Sequence, residues 1–357
     1  MSAQGLTERI RRLIETDGPL PFDRYMEIAL YDTEHGFFGS GPLRSQAEGD
    51  FLTSPEISPE FGTTLARWVE AEYLRLGEPA DFTVVEAGAG SGALLSPLLK
   101  ALPFDPKAVA IEVAAAARNA LRQKLPKVVT LSSFQGLKPF RGVVIANELL
   151  DNLPMAVAVR VEDGNWRERR VGWDENRLVM VDTPARLEVL HWLEAYAGEV
   201  PTGGVVECQS AAREWMEEVI GLLRGGALVV IDYGDTSAGL LHRRSRGGTL
   251  RTYRSHHLSE DPLHHPGATD ITADVDFSAL VDLVSARGMR YELVRQGDFL
   301  RDPGLADRRA RLREQELAEA RDGDPFRRLG IRSRVKEIDT LLHPRGFGDF
   351  LVLSAYI

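Results

Sequence analysis

The chain has 357 residues, 43% hydrophobic and 27% charged, a composition that excludes a disordered or fibrous protein and fits an ordinary globular one. A formal net charge of -10 repels a phosphate backbone, so nucleic acid is not an expected partner, whereas charge complementarity favours a basic substrate. The single cysteine, Cys208, excludes an internal disulfide and a cysteine-based metal cluster, and no metal is expected.

The first elements are helical. Leu6, Ile10, Leu13 and Ile14 recur on one face of an N-terminal amphipathic helix, and PFDRYMEIALYD opens a second. Neither a secretion-type apolar run nor a stretch of about 18 apolar residues occurs, so the expected location is cytoplasmic. GDFLTSPEISPEFG is Pro-punctuated and loop-like, and a helix is expected from about Phe61 to Leu76. From there the character changes. The apolar runs FTVVEAG, AVAIEV, KVVTL and GVVIANE alternate with helices expected at about Ser91–Leu102 and Ala114–Leu125. Short buried strands alternating with helices predict an α/β fold, a doubly wound and mostly parallel sheet.

Further strands are expected at GGVVEC and GALVVIDYG, flanking a helix near Ala211–Leu223. The stretch MAVAVRVEDGNWRERRVGWDENRLVMV alternates apolar and polar around Asp163-Gly164, which predicts an antiparallel insertion. A second insertion, about 235–274, is rich in Gly, Ser, Arg and His. A helix near Phe277–Arg287, a strand near Met289–Arg295, two charged helices within Leu305–Leu342 and a terminal strand FLVLSAYI complete the chain. The expected organisation is an N-terminal helical cap over residues 1–80. A domain over 81–357 follows, with α+β insertions near 155–200, 235–275 and 300–345.

The central motif is Glu86-Ala87-Gly88-Ala89-Gly90-Ser91-Gly92. A glycine turn between strand and helix lets a ligand approach the backbone and leaves N–H groups free at a helix start. Gly88, Gly90 and Ala93 also satisfy the dinucleotide pattern G-x-G-x-x-G/A, so a nicotinamide or flavin enzyme stays open. So does a glycine turn that serves only strand–helix packing. Two features favour S-adenosylmethionine. Glu86, two residues before the first glycine, would crowd a pyrophosphate but accepts from an ammonium. Glu112 ends the next strand, where a ribose diol needs a carboxylate; a solvated strand-end acid explains it equally well.

Asn147-Glu148-Leu149-Leu150-Asp151 follows the fourth strand and falls at the carboxyl end of the sheet, where ligands bind. Glu148 and Asp151, three apart, would share a face of a helical turn. Carboxylates there would hold a basic acceptor and orient its nitrogen toward the methyl group, and alignment is the main lever for such a transfer. They also read as first-turn acids of a following helix.

The ordered set GDFLTSPEISPEFG, EAGAGSGALL, IEV, ANELLDNLP, VIDYG, RGGTLRTYRSH and PGATDITADVDFSAL resembles the MidA-like family of methyltransferases over nearly the whole chain. That family includes a mitochondrial complex I assembly methyltransferase that dimethylates an arginine. The resemblance implies a fold of the class I methyltransferase type and S-adenosyl-L-methionine as cofactor. It implies a protein substrate, with a respiratory-complex subunit as candidate. It implies that Glu86, Gly88, Gly90 and Glu112 hold the cofactor, that Thr53 to Glu56 fold back over the site, and that Asn147 to Asp151 lie beside the methyl. The candidate cofactor-binding residues are therefore Glu86, Ala87, Gly88, Ala89, Gly90, Gly92, Glu112 and Asn147. Glu148, Asp151 and Glu56 are the candidate catalytic residues. The chain departs from the family at Val113-Ala114, where Ser-Pro is usual, and at Leu149-Leu150, where two aromatics are usual.

Other clusters have blander readings. His256, His257, His264 and His265 show no metal-ligand spacing and belong to a loop. Arg243, Arg244, Arg246, Arg251 and Arg254 read as a solvated loop face, and Tyr25, Phe37, Phe38 and Phe51 as packing. Asp232-Tyr233-Gly234 ends a strand, as a turn or as part of the acceptor side. The expected function is methylation of a protein arginine. The alternatives are a small-molecule N- or O-methyltransferase, an S-adenosylmethionine-binding assembly factor with little turnover, and a nicotinamide or flavin oxidoreductase.

Overall fold

The computed structural model describes residues 3–40, 53–243, 246–254, 257–259 and 261–357. Its apolar runs pair into a seven-stranded sheet in the order Arg290–Arg295, Leu351–Tyr356, Leu223–Asp232, Phe140–Asn147, Thr83–Ala87, Lys107–Ile111 and Val129–Leu131. The last five of these run parallel, with Val85 opposite Val144 on one side and Val109 on the other. Leu351–Tyr356 runs antiparallel to both of its neighbours, so the sheet is mixed and the fold is α/β.

Both faces are covered, which is why the strands read as near-continuous apolar runs. Successive side chains alternate across a strand. Val84, Val143, Ile145 and Val229 therefore share a core with Leu65 of the helix Pro59–Arg75, Leu98, Leu312 and Ile338. Val85, Val109, Val144 and Leu228 pack on the opposite face with Met216, Val219, Leu280 and Leu283.

The expected insertion is a second, antiparallel sheet of Ala156–Arg160, Trp166–Asp174 and Arg177–Pro184, joined by Leu20–Pro21. Val205–Cys208, which continues the strand–helix alternation in sequence, joins this sheet instead of the parallel one. Four residues do not distinguish the two pairings, and the partner edge at Ala156–Val159 decides. The helices Ala3–Asp17 and Phe22–Tyr31 bury Leu6, Ile10, Tyr25 and Met26 against Val157, Val159 and Val171 of this sheet. Helix Pro59–Arg75, by contrast, belongs to the main sheet's core.

Two smaller differences concern the site. The helix expected from Ser91 starts at Leu95, because Gly88, Gly90 and Gly92 all hold positive φ and the chain between them cannot turn helically. The insertion near 235–274 contains the strands Arg251–Arg254, His257–Ser259 and Asp270–Thr272, which pair with one another. Among the described residues no helix is long and apolar enough to cross a membrane.

Candidate active site

The strands ending at Ala87, Ile111, Asn147 and Asp232 reach the same edge of the sheet, since their ladders are parallel. A cavity of about 420 Å³ lies there. Glu86, Ala87, Gly88, Ala89, Gly90, Glu112, Asn147 and Glu148 line it, together with Thr53, Pro55 and Glu56 from the short helix region before Pro59. Gly49 to Leu52 of the same motif, with Phe51, lie outside the described residues, as do Arg244 and His256.

The glycine loop is tied to the next strand. Gly88 and Ala89 donate their N–H groups to the Ile111 carbonyl at 2.9 and 3.2 Å. The Glu112 carboxylate accepts from Gly90 N–H through Oε2 and from Ala114 N–H through Oε1, each at 2.8 Å. Burial pushes the Glu112 carboxyl up, and those backbone donors work against the rise. Glu86 is pushed well above the ordinary carboxylate range, first by burial and then by the nearby Glu112. Its Oε2, like Oδ1 of Asn147, is buried without a hydrogen-bond partner. Two orphaned acceptors beside repelling carboxylates fit a ligand that brings an N–H donor and positive charge, as the ammonium and sulfonium of S-adenosylmethionine do.

Gly92 does not line the cavity. A Cβ there would sit 2.8 Å from Cδ2 of Leu121, so this glycine serves the packing of helix Ala115–Lys124 against the loop. That corrects its expected place among the ligand-facing residues.

The acidic segment is reached through a left-handed residue. Glu148 has φ +50° while its N–H donates to the Ile231 carbonyl at 2.8 Å, which fixes the turn after strand Phe140–Asn147. Its Oε1 accepts from the Ser54 N–H at 2.9 Å and from Asn147 Nδ2 at 3.2 Å. Burial raises the half-buried Glu148 carboxyl to about 8, with Asp151 and Glu56 adding repulsion. Glu56 itself accepts the Thr53 N–H at 3.3 Å and closes the capping box of that short helix.

Asp151 is not at the cavity wall. The left-handed step at Glu148 and the 3-10 turn Leu150–Asn152 break the helical spacing that would have put both acids on one face. Asp151 Oδ2 instead accepts from Thr272 Oγ1 at 2.6 Å and from the Tyr233 hydroxyl, beneath the surface.

The residue that organises this turn comes from another strand. Asp232 is wholly buried, and its Oδ2 accepts from the N–H groups of Leu149, Leu150 and Asp151 at 3.2, 2.9 and 3.4 Å. Its Oδ1 accepts from Tyr233 N–H at 3.0 Å. Asp232 thus caps a turn whose residues, Leu149 to Asp151, lie 81 to 83 positions upstream in sequence. Its place at a strand end, as a turn or on the acceptor side, is legible in the sequence, but its capping of the Leu149–Asp151 turn is not. Asp232→Ala leaves these donors unpaired and is expected to lower stability by about 3 kcal/mol, with Asp232→Asn much milder because its oxygen still accepts. Urea unfolding of the two variants measures this; equal losses would remove Asp232 from its capping role.

Several lining residues carried no sequence signal for it. Tyr31 and Phe38 stack with centroids 5.9 Å apart and line the cavity, whereas Tyr25 and Phe37 are fully buried packing residues as expected. Ser132 and Trp215 line it from elements remote in sequence. Elsewhere, Arg243 pairs with Asp235 and Asp349, and Arg251 pairs with Asp274 while its guanidinium lies over the Tyr233 ring. His264 and His265 stack on each other.

A cavity at the carboxyl ends of a largely parallel sheet, beside a glycine loop, defines an α/β protein that binds a nucleotide-like ligand. Residues 64–294 match the model of the S-adenosyl-L-methionine-dependent methyltransferase family, and the chain belongs to that family. It is similar to the mitochondrial protein arginine methyltransferase NDUFAF7 homolog of Drosophila melanogaster, 30% identical over 83% of this chain and 74% of that one. The Homo sapiens protein arginine methyltransferase NDUFAF7 is 27% identical over 84% of this chain and 74% of its own length. A crystal structure of a superfamily member from Burkholderia thailandensis bound to S-adenosyl-homocysteine matches with a TM-score of 0.86 at 29% identity, covering 99% of this chain and 92% of that one. The protein is an S-adenosylmethionine-dependent methyltransferase. The expectation of a cytoplasmic location does not stand, because the curated relatives are named mitochondrial proteins.

Proposed function

We propose that the methyl acceptor is a side-chain nitrogen of an arginine on a protein substrate, and that the fold is of the class I methyltransferase type. The observation that carries the reading is Glu148, an acid turned into the cavity by a left-handed backbone step and fixed there by Ser54 and Asn147. The names of the Drosophila and human relatives support the same acceptor. A respiratory-complex subunit is the candidate substrate that the family resemblance adds.

In this reading Glu86 and Asn147 Oδ1 receive the ammonium end of the cofactor, Glu112 the ribose hydroxyls, and the glycine loop the backbone approach. Bound S-adenosylmethionine supplies a methyl group activated by its sulfonium. Glu148 then holds the guanidinium, orients one nitrogen lone pair along the methyl–sulfur axis, and accepts the proton that the methylated nitrogen gives up. Orientation carries most of the effect, because a neutral thioether leaves without acid assistance. Glu56 adds negative charge beside Glu148, and Asp151 with Asp232 positions the turn that presents it.

The test is to incubate the purified protein and methyl-labelled S-adenosylmethionine with the proteins of a strain that lacks its gene, then map the label by mass spectrometry. Label on arginine of one or a few proteins is the expected result. Label on lysine, on a carboxylate or only on small molecules would overturn the acceptor assignment while leaving the methyltransferase class intact.

A further inference from the structure

A second cavity, of about 330 Å³, lies among the helices Pro59–Arg75, Leu305–Asp322 and Pro325–Leu341. Four arginines line it, Arg67, Arg308, Arg311 and Arg334, and Glu60 is the single carboxylate among its lining residues. Glu60 is buried and already engaged: it accepts from Arg308 at 3.2 and 3.3 Å and from Arg334. Burial pushes its carboxyl up, but these two guanidiniums outweigh that and hold it below the usual range. Arg67 donates to a neutral acceptor, the Pro303 carbonyl, at 2.5 Å. The Arg311 side chain has no hydrogen bond or ion pair among the described residues.

One carboxylate therefore faces four positive charges in a concave site, two of them held by it and two, Arg67 and Arg311, exposed. Like charges gathered in this way repel unless an anion joins them. The first turn of helix Pro59–Arg75 adds its positive dipole end at the same place. Planar guanidiniums match phosphate and carboxylate oxygens two at a time, which an ammonium does not. We propose that this cavity is an oxyanion-binding site that takes a phosphate- or carboxylate-bearing ligand through Arg67, Arg308 and Arg311.

Its position gives the site a consequence. The stretch from Thr53 to Glu60 borders both cavities: Thr53, Pro55 and Glu56 line the first, Pro59 and Glu60 the second. Ser58 Oγ also bonds Glu337 of the Pro325–Leu341 helix at 2.9 Å. An anion drawn in by the arginines ties these helices to the segment whose Ser54 N–H fixes Glu148.

The protein is titrated by calorimetry at low salt with inorganic pyrophosphate, inorganic phosphate and a short oligo-glutamate peptide. The same titrations are run on the double variant Arg67→Ala/Arg311→Ala, which leaves the Glu60 pairs in place. Saturable one-site binding is expected for the wild type, weakened at least about tenfold in the variant, with S-adenosylhomocysteine affinity unchanged as the check on folding. If the double variant loses S-adenosylhomocysteine binding, Arg311→Gln alone replaces it, with the same expected direction. Binding of pyrophosphate or phosphate without the peptide identifies a small phosphorylated ligand, and binding of the peptide an acidic segment; either supports the site. Absence of saturable binding of all three, or equal affinity in wild type and variant, overturns it.

Discussion

Glu148→Gln is expected to cut turnover about 10²-fold while S-adenosylhomocysteine still binds within about twofold of the wild-type affinity. The amide keeps what the fold needs from this side chain, because its oxygen still accepts from the Ser54 N–H and from Asn147. It loses the charge that holds a guanidinium and the basicity that receives a proton. The pH dependence separates this from a general loosening of the site. With its carboxyl raised to about 8, Glu148 is largely protonated below that pH and cannot act as a base. Turnover by the wild type should therefore rise as pH increases through about 8 and level off above it. In Glu148→Gln that limb should vanish and leave a low, flat profile. A variant that loses S-adenosylhomocysteine binding, or that keeps the wild-type pH profile at reduced height, would remove Glu148 from the acceptor side.

The sequence made the frame of this site readable for a physical reason. Strands buried on both faces must be apolar without interruption, so TVVEA, KAVAI and GVVIAN stood out, and the polar residues at their ends marked where a ligand meets the sheet. Glu86, Gly88, Glu112 and Glu148 each belong to such an end, which is why local spacing could mark them as candidates, and all four line the cavity. What local spacing cannot carry is contact between distant segments. Asp232 caps a turn at Leu149 to Asp151, Ser54 holds Glu148 from 94 positions away, and Trp215 and Tyr31 reach the cavity from separate elements. The same limit explains Asp151, whose three-residue spacing from Glu148 has meaning only if the chain is helical. The left-handed step at Glu148 comes from tertiary fixing by Ile231, not from the motif itself. Val205–Cys208 joined the antiparallel sheet for a related reason: a four-residue apolar strand is compatible with either partner until the edges are in place.

Gly88→Val tests the cofactor side, and its loss should be as large as the first. Gly88 holds φ +73°, and a Cβ built on it would lie 3.1 Å from Cδ1 of Leu149. A β-branched residue in the left-handed region costs about 1–2 kcal/mol in strain alone. The two γ carbons of valine add bulk at a position that lines the cavity, between Glu86 and the Asn147 strand end. Affinity for S-adenosylhomocysteine is therefore expected to fall at least about 100-fold, with a melting temperature only a few degrees lower. Gly88→Ala separates the two causes. It carries the strain and the Leu149 contact but little bulk, so it should melt like the valine variant and bind with intermediate affinity. If valine at this position bound S-adenosylhomocysteine as tightly as glycine does, the loop would be a packing turn and the cofactor would have to lie elsewhere along the strand ends. If alanine alone abolished binding, backbone conformation rather than space would be what the loop contributes.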